Sequence, residues 1–530
     1  MKKTGKKLFA LLLALMMLAC AIPFSVSAED EEVLKENGFY YRLSYDYYET
    51  FEYSARIYGC DETVTGDVVV PATIGGYRVS RAEVKAFCDR KDITSVTLSD
   101  GVVWYSNCSQ DYFNDESNWE DGVLYYESCL IRAKGLSGEY RVKDGTITIG
   151  AGAFSESDDL TSLIFPDSVR NVEENALGIE NLEKLDLGNG VKSIGAECIM
   201  SQKLTSLVFP ESLESLDFCA VLLCPELKEI TLPDKPLTFG AYVFEHTAYY
   251  DDPANWDNGM LYIGNHLMKV DPEKYTEESL VVREGTRSIA CCAAMYLTSI
   301  KNVILPESLG RLSTDCFAGC TSLENINIPK NITVIPFEAF VGCNFKNIVI
   351  PENVKSIGAV SFADCRSLES ITFSEGVKGI GCSAFAGCIS LSEVNIPKTV
   401  RVIDDEAFIH CTQLKKVVIP REVETIGGNA FGYEFCAGRC GDEDCGDRLK
   451  GEITIYGYKD TAAEKYAIEN GFEFIDLESI EEPEPPVDPS EGCTCRCHKD
   501  GFENFIYRIL RIFWKIFKIN EDCVCGAKHY

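Results

Sequence analysis

Two groups of potential metal ligands stand near the C-terminal end of this 530-residue sequence. Thiolate sulfur and imidazole nitrogen are the ligands that structural Zn²⁺ prefers, and a unit this small rarely folds without a metal or disulfides. Five cysteines cannot all pair with one another, which favours zinc, whereas their Cys-x-Cys spacing is shorter than the usual Cys-x-x-Cys, and disulfides are the alternative. The predicted metal ligands are Cys493, Cys495, Cys497, His498, Cys523, Cys525 and His529.

A second set of cysteines follows a fixed period. Cys365, Cys388 and Cys411 lie 23 residues apart, and each is followed three residues later by a leucine. In a stacked structure such positions form a ladder, and free cysteine packs as a small buried hydrophobe. We therefore predict reduced, structural thiols here, with disulfides between neighbouring members as the alternative.

Catalytic chemistry is not indicated. His410 precedes Cys411 and could serve as its base, but Cys411 belongs to the periodic set and is better explained by packing. The sequence contains no Gly-x-Ser-x-Gly, His-Glu-x-x-His or phosphate-binding Gly-Lys-Ser/Thr motif. It predicts no enzyme, and no cofactor for the periodic region.

The period extends well beyond the cysteines. An isoleucine followed by a small or acidic residue recurs at Ile357, Ile380, Ile403 and Ile426, and a phenylalanine follows five residues after each. One unit reads Val-x-x-Ile-Gly-x-x-Ala-Phe-x-x-Cys-x-x-Leu-x-x-Ile-x-Ile-Pro. Fainter copies with steps of 22 or 23 residues give about 13 units between residues 78 and 431.

The unit predicts its own local structure. Its Leu-x-x-Ile-x-Ile-Pro segment alternates apolar and polar residues, as a strand with one buried face does, and the proline ends the strand. The Ile-Gly-x-x-Ala-Phe segment has the apolar spacing of a helix or turn. Since one unit cannot bury its apolar face alone, the units must stack. The expected fold is a solenoid with a curved parallel β-sheet and short helical or turn segments on the other face.

This unit resembles the BspA-type leucine-rich repeat of surface proteins from Gram-positive gut Firmicutes. The resemblance covers residues 40–477 and implies a leucine-rich-repeat solenoid that is secreted or held at the cell surface. It further implies adhesin-like binding to a protein or glycan on host or neighbouring cells, and it carries no catalytic residues. Two departures, at 197–200 and 291–295, replace the Ala-Phe pair and predict less regular packing there.

Two insertions, near residues 112–125 and 249–262, match each other. Each reads as a β-hairpin with a glycine at its turn. Trp119 and Trp256 occupy equivalent places in them. An exposed tryptophan can be a recognition hot spot, but packing against the flank of the solenoid is the favoured interpretation.

The N-terminal residues 1–28 have the pattern of an export signal. Four lysines precede an apolar run from Leu8 to Ala21 that is too short to span a bilayer, and small residues at 26–28 supply a cleavage site. An alternative interpretation places a lipid on Cys20. The expected location is secreted, extracellular or at the cell surface.

The remaining segments give the domain plan. An N-terminal cap region over 29–77 precedes the solenoid at 78–431. Residues 432–477 contain a cysteine-bearing loop and a terminal cap with a helix from about Thr461 to Asn470. A Pro/Glu-rich linker spans 478–491. Residues 492–530 form a small Cys-rich C-terminal unit with an amphipathic helix.

Charge restricts the partners. The net charge of −33 argues against nucleic acid, because phosphate binding requires clustered Lys and Arg. The basic amphipathic helix of the tail is an exception: it could lie on a membrane, or its apolar face could be the core of the tail unit. An alternative function is therefore that of a structural cell-envelope protein anchored through its Cys/His tail.

Overall fold

The computed structural model describes residues 33–45, 53–434 and 449–479. The chain divides into two compact units, residues 1–475 and 476–530. Of the second unit only residues 476–479 are described, and there the Asp476 carboxylate accepts a hydrogen bond from the Glu478 amide at 3.0 Å. The predicted signal, the loop cysteines, the linker beyond residue 479 and the tail lie outside the described residues.

The N-terminal region has a hydrophobic core of its own. Phe87 and Trp104 are fully buried there with ring centroids 6.0 Å apart, and Leu124 and Ile131 of the first insertion join them. Its strands are Leu34–Glu36, Phe39–Tyr45, Tyr53–Cys60, Gly66–Val70, Thr73–Ile74, Tyr77–Glu83, Ile93–Leu98 and Val103–Tyr105, with a 3₁₀ turn at Val84–Ala86.

Each repeat contributes a two-residue strand at its Ile-Gly position. These strands pair in parallel with their counterparts in the adjacent repeats, and we call the result the short ladders. They comprise Thr148–Ile149, Asn171–Val172, Ser193–Ile194, Ser215–Leu216 and Thr238–Phe239; then Ser288–Ile289 and Arg311–Leu312; then Val334–Ile335, Ser356–Ile357, Gly379–Ile380, Val402–Ile403 and Thr425–Ile426.

The Ile-x-Ile segment of each repeat forms a second set of parallel strands, the long ladders. Alternate side chains point inward, as the sequence pattern predicts: Ile348 and Ile350 are buried while Val349 between them is exposed. These strands are Ser137–Arg141, Asp159–Ile164, Lys184–Asp186, Ser206–Val208, Glu229–Thr231, Ser279–Val281, Asn302–Ile304, Asn325–Ile326, Asn347–Ile350, Ser370–Phe373, Glu393–Asn395, Lys416–Val418 and Thr454–Gly457, and the final strand of the sheet is Glu473–Asp476.

The parallel leucine-rich-repeat solenoid expected from the sequence is therefore present, with one difference. The Ile-Gly-x-x-Ala-Phe segment contains no helix; it is a two-residue strand followed by hydrogen-bonded turns. Each repeat thus has two ladders rather than one. Between them, the phenylalanines of successive repeats stack face to face from Phe317 to Phe431, with adjacent centroids 5.0 to 5.8 Å apart.

The periodic cysteines form a ladder of free, buried thiols, as predicted. The Sγ of Cys365 donates to the carbonyl of Phe340 at 3.3 Å, and that of Cys388 donates to Phe362 at 3.3 Å. Cys320, Cys343 and Cys411 make the same bond. Each thiol therefore ties its own repeat to the aromatic position of the repeat before it.

This arrangement predicts the reactivity of the ladder. Burial raises the pKa of the Cys365 thiol to about 12, so little thiolate forms near neutral pH. We expect iodoacetamide at pH 8 to leave Cys365 and Cys388 unmodified in the folded protein and to modify both in urea, as read by peptide mass spectrometry. If the two cysteines stayed unmodified in urea until a reductant was added, they would be joined in disulfides. Rapid modification of the folded protein would contradict the buried ladder.

The two departures from the Ala-Phe pattern have different outcomes. Where aliphatic residues replace phenylalanine, Leu177–Gly178 and Ile199–Met200 form an additional parallel pair, so that unit gains backbone pairing. In the other unit Ala294 occupies the aromatic position, and the stack of rings begins only one repeat later, at Phe317.

The array ends on a helix, as the sequence predicts. Three α-helices are described: α1, Gln110–Asn114; α2, Ala248–Asp251; and α3, Ala462–Asn470. Helix α3 is capped by Gly471, whose φ of 62° suits a residue without a Cβ. Its Tyr466 packs edge-on against Phe431, the last ring of the stack, at 6.0 Å. The strands Tyr433–Glu434 and Leu449–Lys450 pair beside this cap.

Candidate functional site: a polar groove beside two seams

The short ladders are interrupted where the second hairpin insertion leaves the array. Thr238–Phe239, the last strand of the first short ladder, does not pair with the next ladder through its backbone. Instead, the amide of Leu237 donates to the Ser288 hydroxyl at 2.8 Å, and that of Phe239 donates to the Ser313 hydroxyl at 3.3 Å. The backbone amides at the edge of one ladder thus bond to serine side chains of the next ladder. We call this contact the second seam.

Close packing and one ion pair hold the second seam. Gly310 leaves no room for a side chain, because a Cβ there would lie 2.5 Å from Cγ of Pro236. At the surface Arg287 contacts Asp234 at 3.0 Å, and Asn265 donates to the same carboxylate. These hydrogen bonds hold the pKa of Asp234 down to about 2, so the pair stays ionised over the physiological range.

The first seam has the same design at the N-terminal end of the array. Ser106 follows the N-terminal sheet and donates from its amide and its hydroxyl to the buried carboxylate of Glu173. The Ala151 amide donates to this carboxylate as well, at 3.0 Å. Burial raises the pKa of Glu173, and the three donors oppose that shift.

A groove of about 650 Å³ lies between the two seams. Its floor is the outward face of the first short ladder, a row of Asn171, Ser193, Ser215 and Thr238, and the Ser193 hydroxyl donates to Asn171 at 2.7 Å. The walls come from the ladder faces on either side. They carry Arg81 and Tyr105 at the N-terminal side and Arg311, Thr314 and Thr333 at the other.

The groove combines hydroxyls with both signs of charge. Arg81 and Arg311 supply positive charge, while Glu174 and the exposed Asp217 supply negative charge. Tyr105 adds an aromatic surface, against which the Arg56 guanidinium stacks at 4.4 Å. Such a lining offers many donors and acceptors beside a comparable apolar surface, which suits a ligand that carries both, such as a sugar chain or an extended peptide.

The two predicted hairpins adopt the same structure. Trp119–Glu120 pairs antiparallel with Val123–Tyr126, and Trp256–Asp257 pairs likewise with Met260–Ile263. The third strands, Cys129–Ala133 and His266–Val270, lead into the short ladders. Glu116–Asn118 and Pro253–Asn255 form equivalent 3₁₀ turns.

Both tryptophans are half-buried and occupied by contacts within the insertions. The indole N–H of Trp119 donates to the carbonyl of Phe113 at 3.0 Å, and that of Trp256 donates to Tyr250 at 2.8 Å. Lys134 lies over the Trp119 ring at 3.7 Å. The packing interpretation therefore fits these residues better than a recognition hot spot.

A cluster beside the groove escaped the sequence analysis. The Sγ atoms of Cys291 and Cys292 lie 3.5 Å apart, and a carboxylate oxygen of Asp315 lies within 4.8 Å of both. The Cys291 sulfur is also 3.1 Å from the hydroxyl of Thr314, which lines the groove. The two cysteines are buried and Asp315 is half-buried.

The ionisation of this cluster is unusual. Burial and the nearby Cys291 and Glu338 raise the pKa of Asp315 to about 8. The hydrogen bond from Cys292 lowers the pKa of Cys291. Two thiols and the carboxyl group of Asp315 thus lie together in one confined volume. The sequence signal was available: two adjacent cysteines, with an aspartate one repeat, or 23 residues, after the second.

The metal ligands predicted from the sequence lie elsewhere. Residues 493–529 are outside the described part of the chain, so their zinc site stays a prediction. Every helix within residues 33–45, 53–434 and 449–479 falls short of the length and apolar content that a membrane span requires.

Comparisons with known proteins agree on the repeat. A family model described as "BspA type Leucine rich repeat region" matches in six copies over residues 138–250, 274–344 and 333–436, more than half of the chain. A search of curated proteins found no match.

Several solved structures are similar in fold. A leucine-rich cell surface protein from Faecalibacterium prausnitzii is 21% identical, with 74% of this chain and 95% of that chain covered and a TM-score of 0.27. A leucine-rich repeat protein from Bacteroides ovatus is 17% identical, with coverage of 84% and 100% and a TM-score of 0.25. The pneumococcal vaccine antigen PcpA is 12% identical, with coverage of 86% and 99% and a TM-score of 0.22.

Proposed function

Because the chain belongs to the BspA-type leucine-rich-repeat family, we propose that it is a secreted or cell-surface binding protein. It acts as an adhesin-like receptor for a polar ligand, a protein or a glycan on host or neighbouring cells, and performs no catalysis. The groove between the seams is the proposed ligand site.

The lining of the groove carries this proposal. The repeat uses its periodic isoleucines, phenylalanines and cysteines for the core, and residues such as Ile380, Phe385 and Cys388 are fully buried. The outward positions of the short ladder are free of that requirement, yet they present amide and hydroxyl groups in one continuous row. Arginine and carboxylate side chains at either side would fix the orientation of a polar ligand through charge-assisted hydrogen bonds.

Charge reversal in the groove tests the proposal. We expect the full-length protein to bind at least one of purified mucin, collagen or an arrayed glycan. Asp217→Lys and Arg81→Glu should each weaken that binding about tenfold or more, equivalent to about 1.4 kcal/mol, because each replaces an attraction by a repulsion. Surface plasmon resonance on the immobilised ligand measures the change.

Matched variants distinguish a local effect of the groove residues on binding from an effect of the protein's net charge. Glu369→Lys and Lys346→Glu make the same changes of charge at exposed residues that do not line the groove. They should leave the affinity within about twofold of the original. Equal losses from both pairs of variants, or no loss from the groove pair, would show that the ligand binds elsewhere.

A further inference from the structure

Cys291 and Cys292 occupy the turn of a repeat that lacks the stacking phenylalanine. We propose that Cys291, Cys292 and Asp315 form a binding site for a divalent transition-metal ion of the zinc type, built into the solenoid and separate from the C-terminal tail.

The distances fit one ion. With Zn–S bonds of about 2.3 Å and tetrahedral angles, two thiolates on the same ion lie about 3.8 Å apart. The two sulfur atoms lie 3.5 Å apart, so small side-chain rotations are enough. The carboxylate of Asp315 is within 4.8 Å of both sulfurs, which places a third ligand on the same side.

Stacking of the repeats brings these ligands together. Ile289 pairs with Leu312 in the short ladder, so the turns that follow them are in register and Cys292 faces Asp315. Glu338 occupies the equivalent position of the next turn, on the far side of Asp315 from Cys292, and both residues have a positive φ, 55° for Asp315 and 53° for Glu338. It lies outside the set of mutually close ligand atoms and is placed to orient Asp315 from the neighbouring repeat.

One cation lies beside the two cysteines. Lys269 lies against the turn, with its Nζ 3.4 Å from the carbonyl of Cys292, so its positive charge offsets part of the negative charge that two thiolates and a carboxylate would bring to the site. Binding of an ion would require both thiols and the Asp315 carboxyl group in their deprotonated forms, and the thiol protons would be released to solvent. The ion would also link consecutive repeats at the place where no phenylalanine ring fills the core.

Co²⁺ titration tests the site in the full-length chain. Because the tail contains its own predicted ligands, the starting protein carries serine at Cys493, Cys495, Cys497, Cys523 and Cys525. We expect it, when reduced, to bind about one Co²⁺ with the sulfur-to-cobalt absorption and ligand-field bands of a tetrahedral thiolate site. Zn²⁺ should displace the cobalt and raise the melting temperature of the protein.

Variants then assign the ligands. Cys291→Ser with Cys292→Ser should abolish the sulfur-to-cobalt absorption, and Asp315→Asn should weaken affinity by about tenfold or more while keeping that absorption. Cys382→Ser is the matched control, since Cys382 is at the position of Cys291 in a later repeat but has Ser383 beside it, and it should change nothing. Circular dichroism confirms that each variant is folded.

Three results would overturn the proposal. The first is the absence of sulfur-to-cobalt absorption in the reduced protein. The second is absorption that persists in the folded double serine variant. The third is recovery of the protein with Cys291 joined to Cys292 in a disulfide that reductant must open before any ion binds.

Discussion

Replacing Phe385 by alanine is expected to lower the free energy of unfolding by about 3–5 kcal/mol. The ring is fully buried between Phe362 and Phe408, with centroids 5.2 and 5.1 Å away and nearly parallel planes, and Phe373 meets its edge at 6.0 Å. Alanine would leave a cavity in the middle of the stack and remove three aromatic contacts together. Urea denaturation followed by circular dichroism measures the loss.

An exposed aromatic residue of similar size is the control. Tyr296 is 63% exposed, and its replacement by alanine should change the free energy of unfolding by no more than about 0.5 kcal/mol. If Phe385→Ala unfolded at the same urea concentration as Tyr296→Ala, the stacked rings would not be the main support of this part of the array.

Removal of Tyr466 should have an effect of similar size, concentrated at the end of the array. Its hydroxyl accepts from the amide of Phe431 and donates to the carbonyl of the same residue, both at 2.9 Å, while its ring covers that of Phe431. Tyr466→Ala should cost about 3–5 kcal/mol and expose the last repeats. Hydrogen exchange should therefore quicken most around Phe431 and Phe408.

The phenylalanine variant separates the two contributions of Tyr466. Tyr466→Phe keeps the ring but leaves the backbone groups of Phe431 without their partner, at an expected cost of about 1–3 kcal/mol. Exchange near the first seam, around Glu173, should be unchanged in both variants. Uniform acceleration along the whole array would contradict the role of Tyr466 as a local cap.

The buried positions of the repeat could be predicted because stacking imposes one environment on each equivalent residue. Ile380, Phe385 and Cys388 recur in sequence for the same reason that they are buried in the structure. The short ladders could not be predicted, since a strand of two residues, such as Gly379–Ile380, is too short to show alternation.

The seams could not be predicted either, for a different reason, and the cluster of Cys291, Cys292 and Asp315 could be found only through the 23-residue register of adjacent repeats. At the second seam a strand edge meets hydroxyl groups, and Leu237 and Ser288 have nothing in their types that identifies them as partners. Cys291, Cys292 and Asp315 become neighbours only once the register of adjacent repeats is known. The period indicates which residues of a repeat are buried, whereas these sites depend on contacts between residues of different repeats.

The uniform stack between Phe362 and Phe431 has a consequence for how such genes change. Each of these rings stacks on the rings of the repeats before and after it, at almost constant spacing. Unequal recombination that adds or deletes one whole 23-residue unit in this stretch would preserve the stacking of the remaining rings. The same event at the second seam would separate Asp234 from Arg287. Natural variants of this protein should therefore differ in length on the C-terminal side of the groove and keep a fixed length across it.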